Sequence, residues 1–172
     1  MSRLLSWLLA PVNRWRARRR AASYTKRILV PFTRGRLDPE VLAAALRIAR
    51  AEEATLVPAY LILTPMELRL DAPMETQAAV AMPLLEAVEQ TTLRAGIPVD
   101  ARIENGRTPI HALSRLWCVE HFDRIVVPAP AGRDPGFTPK ELEWLLTHAP
   151  AETIILRPDP ALELTDSLDT SA

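Results

Sequence analysis

Arg27-Ile28-Leu29-Val30-Pro31-Phe32, followed across a short loop by Asp38-Pro39 and then by Val41, Leu42, Ala45, Leu46 and Ala49, is the stretch from which the fold is read. The first six residues are a nearly unbroken apolar run, the pattern of a strand covered on both faces. The second group recurs at helical spacing, so one stripe of a helix is apolar and faces a core. The same alternation continues along the chain, with further strands predicted over Thr55–Leu63, Val99–Glu104, Arg124–Pro128 and Thr153–Arg157. The order β-α-β-α-β-α-β-α-β calls for an α/β domain: a three-layer, doubly wound, Rossmann-like sheet of five mainly parallel strands with helices on both faces.

The helix starts are marked by their caps. Asp38-Pro39, Thr108-Pro109 and Thr138-Pro139 each place a capping oxygen ahead of a proline, whose missing N–H costs nothing at the first helical position. Glu141, three residues beyond Thr138, completes a capping box. Ile110, Leu113 and Trp117, and then Leu142, Leu145 and Leu146, are the expected core stripes behind the second and third of these caps. Another helix is predicted over Met74–Arg94, with Val80, Leu84 and Val88 on its inner face, Pro83 as a kink and Gly96 as its end. Sheets of this kind take ligands outside the carboxyl ends of their strands, where the strand order reverses. That singles out the loops Thr33–Leu37 and Ala129–Thr138.

The chain has 172 residues, 48% of them hydrophobic, which suits one domain with a real core. Its net charge of +0 hides an asymmetry. Residues 1–27 contain Arg3, Arg14, Arg16, Arg18, Arg19, Arg20, Lys26 and Arg27 and no acid, so the remainder is acidic by the same amount. Residues 1–25 read as a basic arm, 26–158 as the domain and 159–172 as an acidic, disordered tail. Within the arm, Leu4, Leu5, Trp7, Leu8, Leu9, Val12 and Trp15 share one helical face. Pro11 and the arginines keep this apolar run far below the roughly 20 residues of a spanning helix. Most of the charge follows the apolar run, unlike a secretory signal. Such a segment suits peripheral contact of residues 1–22 with an anionic membrane or a protein partner. A nucleic-acid-associated role is a third and less favoured reading, since Arg14 to Arg20 suit phosphates but supply no base-reading geometry. A single cysteine, Cys118, excludes an internal disulfide and a cysteine-cluster zinc site and fits the cytoplasm.

Four pieces of the domain resemble the universal stress protein family. Lys26-Arg27-Ile28-Leu29-Val30-Pro31 is similar to its opening strand, and Glu104-Asn105-Gly106-Arg107-Thr108-Pro109 to its third strand, turn and helix start. Phe122-Asp123-Arg124-Ile125-Val126-Val127 and His148-Ala149-Pro150 resemble its fourth strand and the turn into its fifth. The resemblance implies a regulatory or stress-response protein, often ATP-binding, and a homodimer built around the fifth strand, here Thr153, Ile154, Ile155 and Leu156. ATP-binding members end the first strand with an aspartate, where this chain has Phe32-Thr33, and they carry a glycine-rich loop after the fourth strand. Here that region reads Ala129-Pro130-Ala131-Gly132-Arg133-Asp134-Pro135-Gly136-Phe137-Thr138-Pro139-Lys140. A phosphate loop needs successive free N–H groups. Pro128, Pro130, Pro135 and Pro139 remove donors, and Asp134 repels an anion. The expectation is therefore no cofactor and no family-type ATP binding. The alternative is a nucleotide switch with a rearranged loop using Thr33, Gly132, Arg133, Gly136 and Thr138.

No catalytic or metal-binding constellation is expected. His111, Ser114 and Cys118 share a helix side, but His111 and Cys118 are about 10 Å apart along the axis, too far for a dyad or a shared metal. Cys118 is read as an ordinary buried cysteine. His121 and His148 are read as helix C-terminal histidines. The sequence thus describes a non-enzymatic protein acting through protein contacts.

Overall fold

Among the described residues of a computed structural model, 25–33, 35, 37–129 and 136–156, five strands alternate with four helices. They are β1 (Arg27–Phe32), α1 (Pro39–Ala51), β2 (Thr55–Leu63), α2 (Glu75–Arg94), β3 (Arg102–Gly106), α3 (Pro109–Val119), β4 (Arg124–Pro128), α4 (Pro139–His148) and β5 (Glu152–Leu156). The strands form one parallel sheet in the order β3-β2-β1-β4-β5. Arg27 lies opposite Thr55, Ile28 opposite Arg124 and Arg124 opposite Glu152. The order reverses between β1 and β4, which are neighbours in the sheet but far apart in the chain.

Alternation along the strands feeds two cores. Ile28, Val30 and Phe32 pack with Leu56, Tyr60 and Ile62 beneath α1 and α2, through Val41, Ala45 and Leu85. On the opposite face Leu29, Val57, Leu61, Ile125 and Val127 pack beneath α3 and α4, through Leu113, Leu116, Leu142 and Leu145. Both side-chain sets of β1 are thus buried, which explains its unbroken apolar run.

Several expectations are corrected. Regular pairing in β3 runs over Arg102–Gly106, not from Val99 to Glu104. Val99 makes only an isolated bridge to Leu56, flanked by the Leu56 bonds to Pro98 and Asp100, and the ladder resumes at Arg102 opposite Ala59. β5 begins one residue early, at Glu152. Arg157 lies outside the described residues. α2 buries Ala81, Leu85, Val88 and Thr92, and Leu84 is half-buried against the same core, but Val80 does not join them and is 51% exposed. The sequence misleads here because Thr92 is polar; its hydroxyl is satisfied within the helix, donating to the Val88 carbonyl at 2.7 Å. α2 runs through Pro83 without a break in its assignment and ends at Gly96, whose φ is +74°. Leu146 is exposed and not part of the α4 stripe, and Cys118 is exposed and not buried. The arm residues Trp7, Trp15, Arg14, Arg16, Arg18, Arg19 and Arg20 and the tail from 159 lie outside the described residues.

Candidate functional site

The carboxyl ends of β1 and β4, where the strand order reverses, are the place at which this topology opens a crevice. Thr33 follows β1 there and is half-buried. Across from it, Gly136 lies against the end of β4, since an added Cβ would meet the Pro128 ring at 3.7 Å. Gly132 and Arg133 lie outside the described residues. Phe137 is buried and shares a cluster with Leu142, the pair of positions that makes a hydrophobic staple and fixes how the chain enters α4.

The start of α4 is closed by its own carboxylate. The Glu141 N–H donates to the Thr138 hydroxyl oxygen at 3.3 Å, while the Thr138 N–H and O–H donate to Glu141 Oε2 at 2.7 and 2.8 Å. A helix N-terminus attracts anions through its unpaired N–H groups and its dipole. Here Pro139 has no N–H, those of Thr138 and Glu141 serve the cap, and the carboxylate supplies the negative charge. The signal for this role of Glu141 was the capping box itself.

At the ends of β2 and β3 the Arg107 guanidinium fastens the following loop, donating to the carbonyls of Thr64, Pro65 and Leu68. The Thr64 side chain is buried and its hydroxyl meets no hydrogen-bond partner among the described residues. His111 accepts from the Arg107 N–H through Nδ1 at 3.2 Å, and Ser114 donates to the Ile110 carbonyl at 2.8 Å. Each side chain is thus committed to backbone at or within its own helix. Among the described residues no group of three or more His, Cys, Asp and Glu side chains is placed to hold a metal ion, and no helix is long and apolar enough to cross a membrane.

Sequence reasoning missed the opposite edge of the sheet. Arg27, Arg102 and Arg124 each open a strand, and their guanidiniums gather the acids around them. Arg27 donates to Asp100 at 3.0 Å and to Glu120 at 2.8 Å and lies 5.7 Å from the centre of the Phe122 ring. Arg102 binds the same two carboxylates, with Glu120 at 3.0 Å. Burial alone would make the Arg102 guanidinium release its proton more readily; hydrogen bonds and the charges of Asp100 and Glu120 outweigh that and hold its pKa above the usual value. Arg124 bridges Glu52, at 2.6 Å, and Glu152. The repeated arginine at the first residue of a strand was the readable signal.

α3 and α4 meet through rings. Trp117 stacks on Trp144 at 5.5 Å between centroids, and Trp144 on His148 at 5.0 Å. His148 Nδ1 lies 3.1 Å from the Trp144 carbonyl oxygen, the helix C-terminal arrangement expected. His121 lies beyond the end of α3, with Nε2 3.6 Å from Asp123. β5 is an edge strand, and Thr153, Ile154, Ile155 and Leu156 all lie on it, half-buried. Glu152 donates to the Asp123 carbonyl and Leu156 accepts from the Ala129 N–H. Glu152, Ile154 and Leu156 therefore turn their backbone groups to β4, and Thr153 and Ile155 turn theirs to the open edge.

No protein-family model matches the sequence, and no curated protein matches it. Solved structures do. A universal stress protein of Lactobacillus plantarum is 22% identical with a TM-score of 0.60, covering 80% of this chain and 100% of that one. A universal stress family protein of Burkholderia pseudomallei is 20% identical with a TM-score of 0.56, covering 79% and 98%. One from Arabidopsis thaliana, solved with AMP bound, is 12% identical with a TM-score of 0.55, covering 79% and 94%. The strand order, the five parallel strands and these likenesses together establish that the domain has the universal stress protein fold.

Proposed function

We propose that the chain is a non-catalytic regulatory protein of the universal stress type, acting as a homodimer through protein contacts and without holding ATP as its nucleotide-binding relatives do. The observation that carries this reading is the Glu141 carboxylate at the head of α4, bonded to the N–H and O–H of Thr138. A phosphate approaching that helix meets a resident negative charge and a proline in place of a donor. Thr33 at the end of β1 adds no carboxylate for a nucleotide or its metal. The test is calorimetric titration of the full chain with ATP and AMP, with and without magnesium, together with analysis of nucleotide released from purified protein. The expected result is no saturable heat at about 1 mM nucleotide and none released on denaturation. Micromolar binding abolished by Gly132→Ala or Gly136→Ala would overturn the proposal. It would favour the second reading, a nucleotide switch whose loop uses Thr33, Gly132, Arg133, Gly136 and Thr138. That reading draws support from the fold likeness to structures solved with AMP and with cAMP.

A further inference from the structure

Four of the large apolar side chains left in solvent belong to one stretch, the crossover from β2 to β3. Met66, Leu68, Val80 and Leu93 are 78%, 45%, 51% and 54% exposed. On α2, Val80, Pro83 and Ala87 fall on one exposed side of the helix with Leu84 half-buried beside them, a stripe without a charge that Glu86 flanks beyond Pro83 and that meets Arg94 at the helix end. Between residues 64 and 96 the acids Glu67, Asp71, Glu75, Glu86 and Glu89 face only two bases, Arg69 and Arg94. Arg69 is bound to Asp71 at 2.9 Å, Arg107 of the β3 turn is held at the loop by the Thr64, Pro65 and Leu68 carbonyls, and Arg50 of α1 reaches in at the far end, to the Ala95 carbonyl, so the excess of acid lies along the middle of α2. A surface both apolar and acidic repels anionic lipid and nucleic acid and favours a basic amphipathic segment.

The chain supplies such a segment. Residues 1–24 hold Arg3, Arg14, Arg16, Arg18, Arg19 and Arg20 with no acid, beside an apolar face that includes Trp7 and Trp15. Their point of attachment is close to α2. Thr55 N–H donates to the Lys26 carbonyl at 2.8 Å and Leu56 N–H to the Pro98 carbonyl at 2.9 Å. Lys26 and the chain leaving α2 are therefore two strand spacings apart, roughly 10 Å. Ten extended residues reach about 33 Å, and Val80 lies about 20 Å along α2 from Leu93. Both tryptophans are within range of the stripe.

We propose that residues 1–24 dock in cis on the β2–β3 crossover, with the tryptophan face on the α2 stripe and the arginines beside Glu86. Docked there, the arm is withheld from an anionic surface until something competes for it. The inference goes beyond the function proposed above and stands whether or not a nucleotide binds.

Paramagnetic relaxation in the full chain tests it. A nitroxide is attached at Val80→Cys in a Cys118→Ser background with nitrogen-15 in the tryptophan indoles; both positions are exposed. The expected result is loss of most of the Trp7 or Trp15 indole intensity, regained on reducing the label and regained in the Glu86→Lys variant. No loss at either arm indole would overturn the proposal. So would equal loss from a nitroxide at Leu146→Cys on α4, or loss that appears only when labelled and isotope-enriched chains are mixed, which would assign the surface to a second copy.

Discussion

Two glycines show how differently a single residue can be constrained. At Gly106 the limit is space, since a Cβ would lie 2.5 Å from the Ala112 backbone nitrogen and 2.7 Å from its Cβ. At Gly96 the surroundings are open, and the limit is the φ of +74° that ends α2. Gly106→Ala should therefore cost about 1–3 kcal/mol through a forced shift of α3 against β3, and Gly96→Ala about 1–2 kcal/mol through backbone strain alone. Urea denaturation measures both; a Gly106→Ala loss below a few tenths of a kcal/mol would show that α3 gives way freely. A second residue-scale expectation concerns Arg102, which with Arg27 neutralises Asp100 and Glu120. Its side chain and that of Glu120 are 11% and 9% exposed. Arg102→Met removes one partner of a mostly buried pair and should cost about 2–3 kcal/mol, less than a fully buried pair because Arg27 remains. The pH sign follows from the direction of the shift. With a folded-state pKa above the unfolded one, the contribution of Arg102 is fully present below the unfolded pKa and is lost only as pH rises through the folded value. Between pH 5 and 9 the wild-type minus Arg102→Met difference should owe nothing to the titration of Arg102 itself.

The first turn of α4 is the element on which the nucleotide question rests, and it is also a stability device. Thr138→Ala deletes the acceptor for the Glu141 N–H and should cost about 1 kcal/mol. Glu141→Gln keeps the shape but removes the charge at the helix head, for about 0.3–1 kcal/mol. Thermal unfolding of the two variants checks the order; a larger loss in Glu141→Gln would mean that charge, not the hydroxyl, holds the turn. That cap was legible in the sequence because its parts are three residues apart and local. The same holds for the starts of α1 and α3 and for the buried runs of β1, β2 and β4, where local composition and the final environment agree. The misreadings arise where the environment is set from a distance. Val80, Leu84 and Val88 have helical spacing, but so do Ala81, Leu85, Val88 and Thr92, and only the sheet beneath decides between them. Val99 looks like a strand residue and does bridge Leu56, but where regular pairing begins is set by β2 alongside it. Of the candidate site, Thr33, Gly136 and Thr138 were placed at the switch point by topology that the alternation already implied. That the Glu141 carboxylate sits at the helix head, bonded to the Thr138 N–H and O–H, required the bond geometry.

At the scale of the whole molecule the sheet has two edges, β3 and β5, and β5 has groups to offer a second copy. Thr153 and Ile155 point their N–H and carbonyl groups outward, while Ile154 and Leu156 bond to β4 and pack toward the α1 and α2 side. Beside this edge lies Leu146. On α4, Leu145 faces the core and Trp144 turns toward Trp117 of α3. Leu146 therefore lies on the side of the helix away from α3, 62% exposed. An open strand with a flanking apolar residue is the arrangement a protein must cover or pair to avoid uncontrolled association. A two-fold pairing of β5 with β5 covers it in both copies by one self-complementary contact. The full chain should thus elute as a dimer by size-exclusion chromatography with light scattering. Thr153→Pro removes an outward N–H without touching the ladder to β4, and it should shift the protein toward monomer while leaving the circular dichroism unchanged. Leu146→Glu should weaken the dimer in the same direction through charge placed beside the paired edges. A wild-type monomer, or a Thr153→Pro dimer as tight as the wild type, would remove β5 from the assembly and leave the exposed face of α2 as the surface to examine next.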